Sequence, residues 1–77
     1  MNIDHLVKMA NDIGNNFEAW PDRDAACKEV VNHLRKFWDP RMRRELAAHL
    51  AASGTQSGLK PLAAAAVSRL AVETPQR

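Results

Sequence analysis

Proline is excluded from helix interiors, and Pro21, Pro40 and Pro61 divide this sequence into stretches whose apolar residues recur every three or four positions. From Ile3 to Trp20 the apolar positions are 3, 6, 7, 10, 13, 17 and 20, one face of an amphipathic helix, with Asn2 as its cap and Pro21 as its end. Gly14 interrupts that face at a cost of about 1 kcal/mol relative to alanine; it either permits a close helix approach or is simply tolerated. A second helix, capped by Asp22 or a neighbour, is predicted to run to about Phe37. Ala26, Cys27, Val30, Val31, Leu34 and Trp38 form its apolar side, and Asp24 with Lys28 is its one clean pair of opposite charges.

A third helix is predicted from Pro40 to about Ala52, with Met42, Leu46 and Leu50 as its apolar line and Gly54 ending it. Residues 53–58 read by composition as a flexible stretch with no side chain large enough to anchor it, and the linker is taken to extend through Leu59 to Lys60. A last helix follows from Pro61 to about Val72, with Leu62, Val67 and Leu70 on one side and an alanine-rich remainder, so it needs a neighbour to stay ordered. Glu73 to Arg77 reads as a frayed tail. No repeat and no strand-like alternation is evident. The expected fold is all-α, a small bundle of three to four short helices. The first two run antiparallel across the Trp20–Pro21 turn, and the third turns away at Asp39–Pro40. The chain divides into a helical core over 1–52, the linker over 53–60, and the terminal helix and tail over 61–77.

Seventy-seven residues make one domain at most, burying only about 60 to 65% of the surface the unfolded chain exposes. The single Cys27 forbids an internal disulfide, so association with another chain is the expected source of added stability, and the free chain is expected to be loosely folded. The start has no basic region followed by an apolar stretch, and the longest apolar run, Leu62 to Val67, is far too short to span a bilayer; the expectation is a cytoplasmic address and no membrane role. The net charge of +2 and pI near 9.1 are mildly basic but unevenly distributed. Residues 1–20 carry Lys8 against Asp4, Asp12 and Glu18, whereas residues 41–60 carry Arg41, Arg43, Arg44 and Lys60 against Glu45.

The run from His33 to Arg44 is where apolar and cationic chemistry meet. Asp39 can accept from the exposed N–H groups of the helix restarting at Pro40, while Phe37 and Trp38 bring the largest apolar surfaces to the corner. Adjacent helix positions point about 100° apart, so either the corner covers both rings or one of them looks outward as an anchor. Arg35, Phe37, Trp38, Asp39, Pro40, Arg41, Met42 and Arg43 are the candidate partner-binding residues. Helix, turn and arginine-bearing helix is also the outline of a DNA reader, and a small DNA-binding regulator is the alternative. The modest net charge and the lack of further lysine-rich segments make nucleic acid the weaker reading.

His5, Cys27, His33 and His49 lack the close pairing by which zinc sites announce themselves, so no metal is expected. Cys27 reads as a small buried hydrophobe, and His33 and His49 as partly covered, hydrogen-bonded helix residues. No Gly-rich phosphate loop is present, and a bundle this small can hardly enclose a substrate; an enzyme acting alone is not expected.

The Trp38-Asp39-Pro40 segment with its flanking basic residues resembles the delta subunits of soluble, molybdenum-containing NAD-dependent formate dehydrogenases. The resemblance extends to Leu6-Val7-Lys8-Met9-Ala10-Asn11-Asp12-Ile13 and to Pro21-Asp22, weakens after His49-Leu50, and covers roughly two thirds of the chain. It implies a cofactor-free, non-catalytic accessory subunit of a cytoplasmic enzyme. The molybdenum cofactor and iron-sulfur clusters would sit in the catalytic alpha subunit, and FMN and NAD chemistry in further partner subunits. Where family members continue with a more apolar final helix, this chain has an alanine run.

Overall fold

The computed structural model describes residues 2–73. Four α-helices follow one another: α1 (Ile3–Asn15), α2 (Arg23–Phe37), α3 (Pro40–Ser53) and α4 (Pro61–Glu73), with a single 3-10 turn at Gly54–Gln56. The fold is all-α, and no strand occurs among the described residues. Local chemistry sets most of the boundaries. Asn2 Oδ1 accepts from the Asp4 N–H at 2.8 Å, and Asp22 Oδ1 accepts from Asp24 and Ala25 at 2.9 and 3.3 Å, each satisfying donors that a helix start leaves open. Gly54, with φ +53°, ends α3 as expected, its N–H donating to the Leu50 carbonyl. The tail expected beyond Glu73 lies outside the described residues.

The first helix is shorter than its apolar spacing predicts, stopping at Asn15 instead of reaching Trp20. Gly14, Asn15 and Asn16 are weak helix formers in succession, and the Asn16 N–H closes the end on Gly14 and Ile13 carbonyls. Residues 16–20 continue as a turn, with the Phe17 and Trp20 N–H groups donating to Gly14 and Phe17 carbonyls. The Phe17 and Trp20 rings meet edge to face, their centroids 5.3 Å apart. The three-to-four spacing thus persisted into a turn that merely keeps these rings on one side.

One core joins all four helices: Leu6, Ala10 and Ile13 from α1, Ala26, Cys27, Val30, Val31 and Leu34 from α2, Leu46 from α3, and Leu62, Ala63, Ala66, Val67 and Leu70 from α4, closed by Trp38. Helices α1 and α4 pack on each other, and each also touches both α2 and α3. The small side chains of α4 allow this. A Cβ on Gly14 would stand 3.6 Å from the Ala63 Cβ, an ordinary contact, so two small residues face each other where α1 and α4 approach and an alanine at 14 would fit. Asp24 fastens the start of α2 to α4 through Arg69, at 2.8 Å, and also pairs with Lys28 at 3.2 Å. The Arg69 hydrogen bond, then that of Lys28, holds the Asp24 carboxyl below its ordinary value.

The stretch expected to be a flexible linker is held on both sides. Asn11 Nδ2 donates to the Gly58 carbonyl at 3.0 Å, and Asn11 Oδ1 accepts from the Lys60 N–H at 2.9 Å. His49 Nε2 lies 2.9 Å from the Ser57 carbonyl, and the buried Ser57 hydroxyl accepts from the Leu59 N–H at 3.1 Å. Gly58 has φ +88°, and a Cβ there would stand only 3.3 Å from Val7 Cγ1, so both its backbone and its surroundings favour glycine. The anchors are Asn11 of α1 and His49 of α3, joined by Ser57, Leu59 and Lys60 of the link itself, and the composition of the link does not show the partners that α1 and α3 bring.

Candidate partner-binding site

The corner between α2 and α3 is built from its backbone outward. Arg35 and Lys36 occupy the last turn of α2, where positive charge is favoured by the partial negative charge of the helix end. The Trp38 N–H still donates to Leu34 at 3.0 Å, but its own φ and ψ of −104° and 136° are extended, so the chain leaves the helix there. Asp39 stays extended, as a residue before proline does, and its Oδ1 accepts from the Met42 N–H at 2.9 Å. Pro40 fills the first helical position, where its missing N–H costs nothing.

This change of direction separates the two aromatics. Trp38 is 5% exposed and sits in the core, while Phe37 is 71% exposed, its ring centroid 4.7 Å from that of His33. One ring looks outward and one is covered. In the folded chain Trp38 therefore supports the corner from beneath and is no surface anchor. Met42 is half-buried against the same core. Asp39 is committed to its cap, and Pro40 is exposed beside it.

The cations divide as well. Arg35 is hydrogen-bonded to Asn32 at 2.9 Å. Arg41 and Arg44 are exposed, three positions apart on the first turns of α3 and hence on one side of it. Arg43 is half-buried, its Nε covered and without an acceptor among the described residues, an arrangement that costs roughly 1–3 kcal/mol. Among the described residues none of Lys36, Arg41, Arg43 and Arg44 forms an ion pair, although Arg41 and Glu45 stand four apart on α3. The sequence already groups Lys36 and Arg44 with Arg35, Arg41 and Arg43 as one basic cluster; that Lys36 and Arg44 are exposed and form no ion pair among the described residues depends on tertiary structure.

Elsewhere a groove of about 660 Å³ lies between α2 and α4, lined by Lys28, Val31, Asn32, Arg35, Arg69 and Val72 among others. Cys27 is buried, and His49 is the hydrogen-bonded, partly covered histidine that the sequence suggests. Among the described residues no three of His, Cys, Asp or Glu come together closely enough to hold a metal ion, and no helix is long and apolar enough to cross a membrane.

Fold and corner together define a small all-α bundle that presents a basic, aromatic-bearing bend on a packed core. Residues 5–67 match the family described as NADH-dependent formate dehydrogenase delta subunit FdsD, and this chain belongs to that family. The match runs through the corner and the link and into α4. No curated protein and no solved structure matches the chain.

Proposed function

We propose that this chain is a non-catalytic accessory subunit of a cytoplasmic NAD-dependent formate dehydrogenase, supporting the assembly or stability of the molybdenum-containing catalytic subunit through its α2–α3 corner. Family membership supplies the complex. The observation that carries the reading is the corner itself, where an exposed phenylalanine and cations without carboxylates stand over a buried tryptophan. Aromatics and arginines are enriched at protein interfaces, where a ring fills a pocket and guanidinium groups form the polar rim. On this reading the molybdenum cofactor, iron-sulfur clusters, FMN and NAD all belong to partner subunits, and this chain touches neither formate nor nicotinamide.

The test is production of the formate dehydrogenase subunits with and without this chain, followed by purification of the catalytic subunit. Expected are retention of the chain through gel filtration and, in its absence, a lower yield or lower molybdenum content of the catalytic subunit. Equal yield, metal content and heat resistance in both preparations, with no retained chain, would overturn the reading.

A further inference from the structure

Apart from Lys60, which reaches Asn15 Oδ1 at 3.3 Å, the described Lys and Arg residues fall into two populations. Lys8 pairs with Asp12 at 3.1 Å, Arg23 with Glu18 at 3.0 Å, and Lys28 and Arg69 with Asp24 at 3.2 and 2.8 Å. The corner cations Lys36, Arg41, Arg43 and Arg44 have no carboxylate among the described residues, and the one carboxylate at the bend, Asp39, is held as a cap. The α2–α4 groove belongs to the first population, its Lys28, Arg35 and Arg69 already engaged with Asp24 and Asn32.

Arg41 and Arg43 also lie in the opening turns of α3, where the partial positive charge of the helix end disfavours further positive charge. That helix-end field works against them in the free fold. Carboxylates brought from outside would offset both the mutual repulsion of the cations and the unfavourable helix-end field. Guanidinium suits that role because it is weakly hydrated and forks onto carboxylates. Beside these cations, Phe37 offers an aromatic ring, 71% exposed, that an apolar hollow in the partner could receive.

We propose that the corner docks on an acidic surface of a folded protein, with Phe37 as the apolar anchor and Lys36, Arg41 and Arg44 facing Asp and Glu side chains around it. This rests on the accessory-subunit reading and specifies the chemistry of the partner's surface. A phosphate backbone is the poorer match: Asp4, Asp12, Glu18 and Asp22 are exposed elsewhere on this small surface, and the net charge is only +2.

The experiment uses the complex co-produced with the tagged chain as wild type, R41E/R44E, F37A and K8E, washed at about 50 and about 500 mM salt. Circular dichroism of each free chain checks folding. Expected are salt-sensitive retention of wild type and K8E, at least about a tenfold loss for R41E/R44E at low salt, and a loss for F37A that changes little with salt. Retention of R41E/R44E equal to wild type at both salts overturns the acidic surface while leaving the accessory role standing. Failure of the wild-type chain to associate at either salt overturns the accessory role itself. Saturable binding of duplex DNA by the free wild-type chain at about 150 mM salt, lost in R41E/R44E, would overturn the protein surface in favour of nucleic acid.

Discussion

The two ends of α2 are built from similar parts and end in different states. The 16–22 turn and the 37–40 corner each have a proline, an aspartate that caps the next helix, and an exposed aromatic, Trp20 at 41% and Phe37 at 71%. They are separated by fifteen helical residues, about 22 Å. At the turn the charges are consumed internally: Arg23 lies on Glu18, and Asp24 takes both Lys28 and Arg69. Trp20 likewise has Phe17 against its ring. At the corner the cations exceed the carboxylates, and the one aspartate is committed to the backbone. A charged, aromatic-bearing turn therefore does not mark a binding site. What distinguishes the corner is that, among the described residues, no carboxylate pairs with Lys36, Arg41, Arg43 or Arg44.

The largest expected difference between the two ends lies in their tryptophans. Trp38→Ala should cost about 3–5 kcal/mol, because it empties a covered position in the core. Trp20→Ala, at a ring that already meets solvent, should cost no more than about 1–2 kcal/mol. Chemical denaturation of the two variants measures this directly, and equal losses would erase the distinction between a supporting and a peripheral ring. A molten chain with native-like helicity after Trp38→Ala would sharpen it, because Trp38 is the residue on which the corner rests.

The caps should behave alike, because a cap responds to local backbone and not to the surface around it. Asp22→Ala and Asp39→Ala should each lose about 1 kcal/mol of stability by thermal melting. A markedly larger loss at Asp39 would mean that its carboxylate also holds a corner arginine in solution, weakening the view that those cations wait for an outside partner.

The smallest effect is one of pH. The Asp24 carboxyl is lowered by Arg69 and then Lys28, so the folded state binds its proton less readily than the unfolded chain does. Its contribution is therefore fully present above the ordinary aspartate value of 3.8 and is lost as pH falls through the lowered folded value. Asp24 is exposed, so solvent keeps this contribution small. In Asp24→Asn the acid-side decline in melting temperature should begin from a slightly lower plateau and be shallower. An NMR titration that returns an ordinary aspartate value for Asp24 would remove the α2–α4 ion pair from the account and leave the two ends of α2 more alike.

What the sequence determined by itself was everything written in neighbouring residues. Asn2, Asp22 and Asp39 as caps, Pro40 and Pro61 as first helical residues and Gly54 as a stop can be read locally, because each acts on backbone groups within a few positions of itself. The family was legible in three short stretches, Trp38-Asp39-Pro40 with its basic neighbours, Leu6 to Ile13 and Pro21-Asp22, all of which lie within the matched span. The remainder required the tertiary structure. Periodicity carried α1 on to Trp20 because a turn can keep the spacing of a helix without its hydrogen bonds. Residues 53–58 read as loose because they have no bulky side chain of their own, whereas Asn11 reaches Gly58 and Lys60 across 47 and 49 positions of sequence. Which of Phe37 and Trp38 faces inward, and which cations find carboxylates, depended on where the chain goes after the corner and on what α4 brings beside α2. Such contacts join residues far apart in sequence, and no local pattern encodes them.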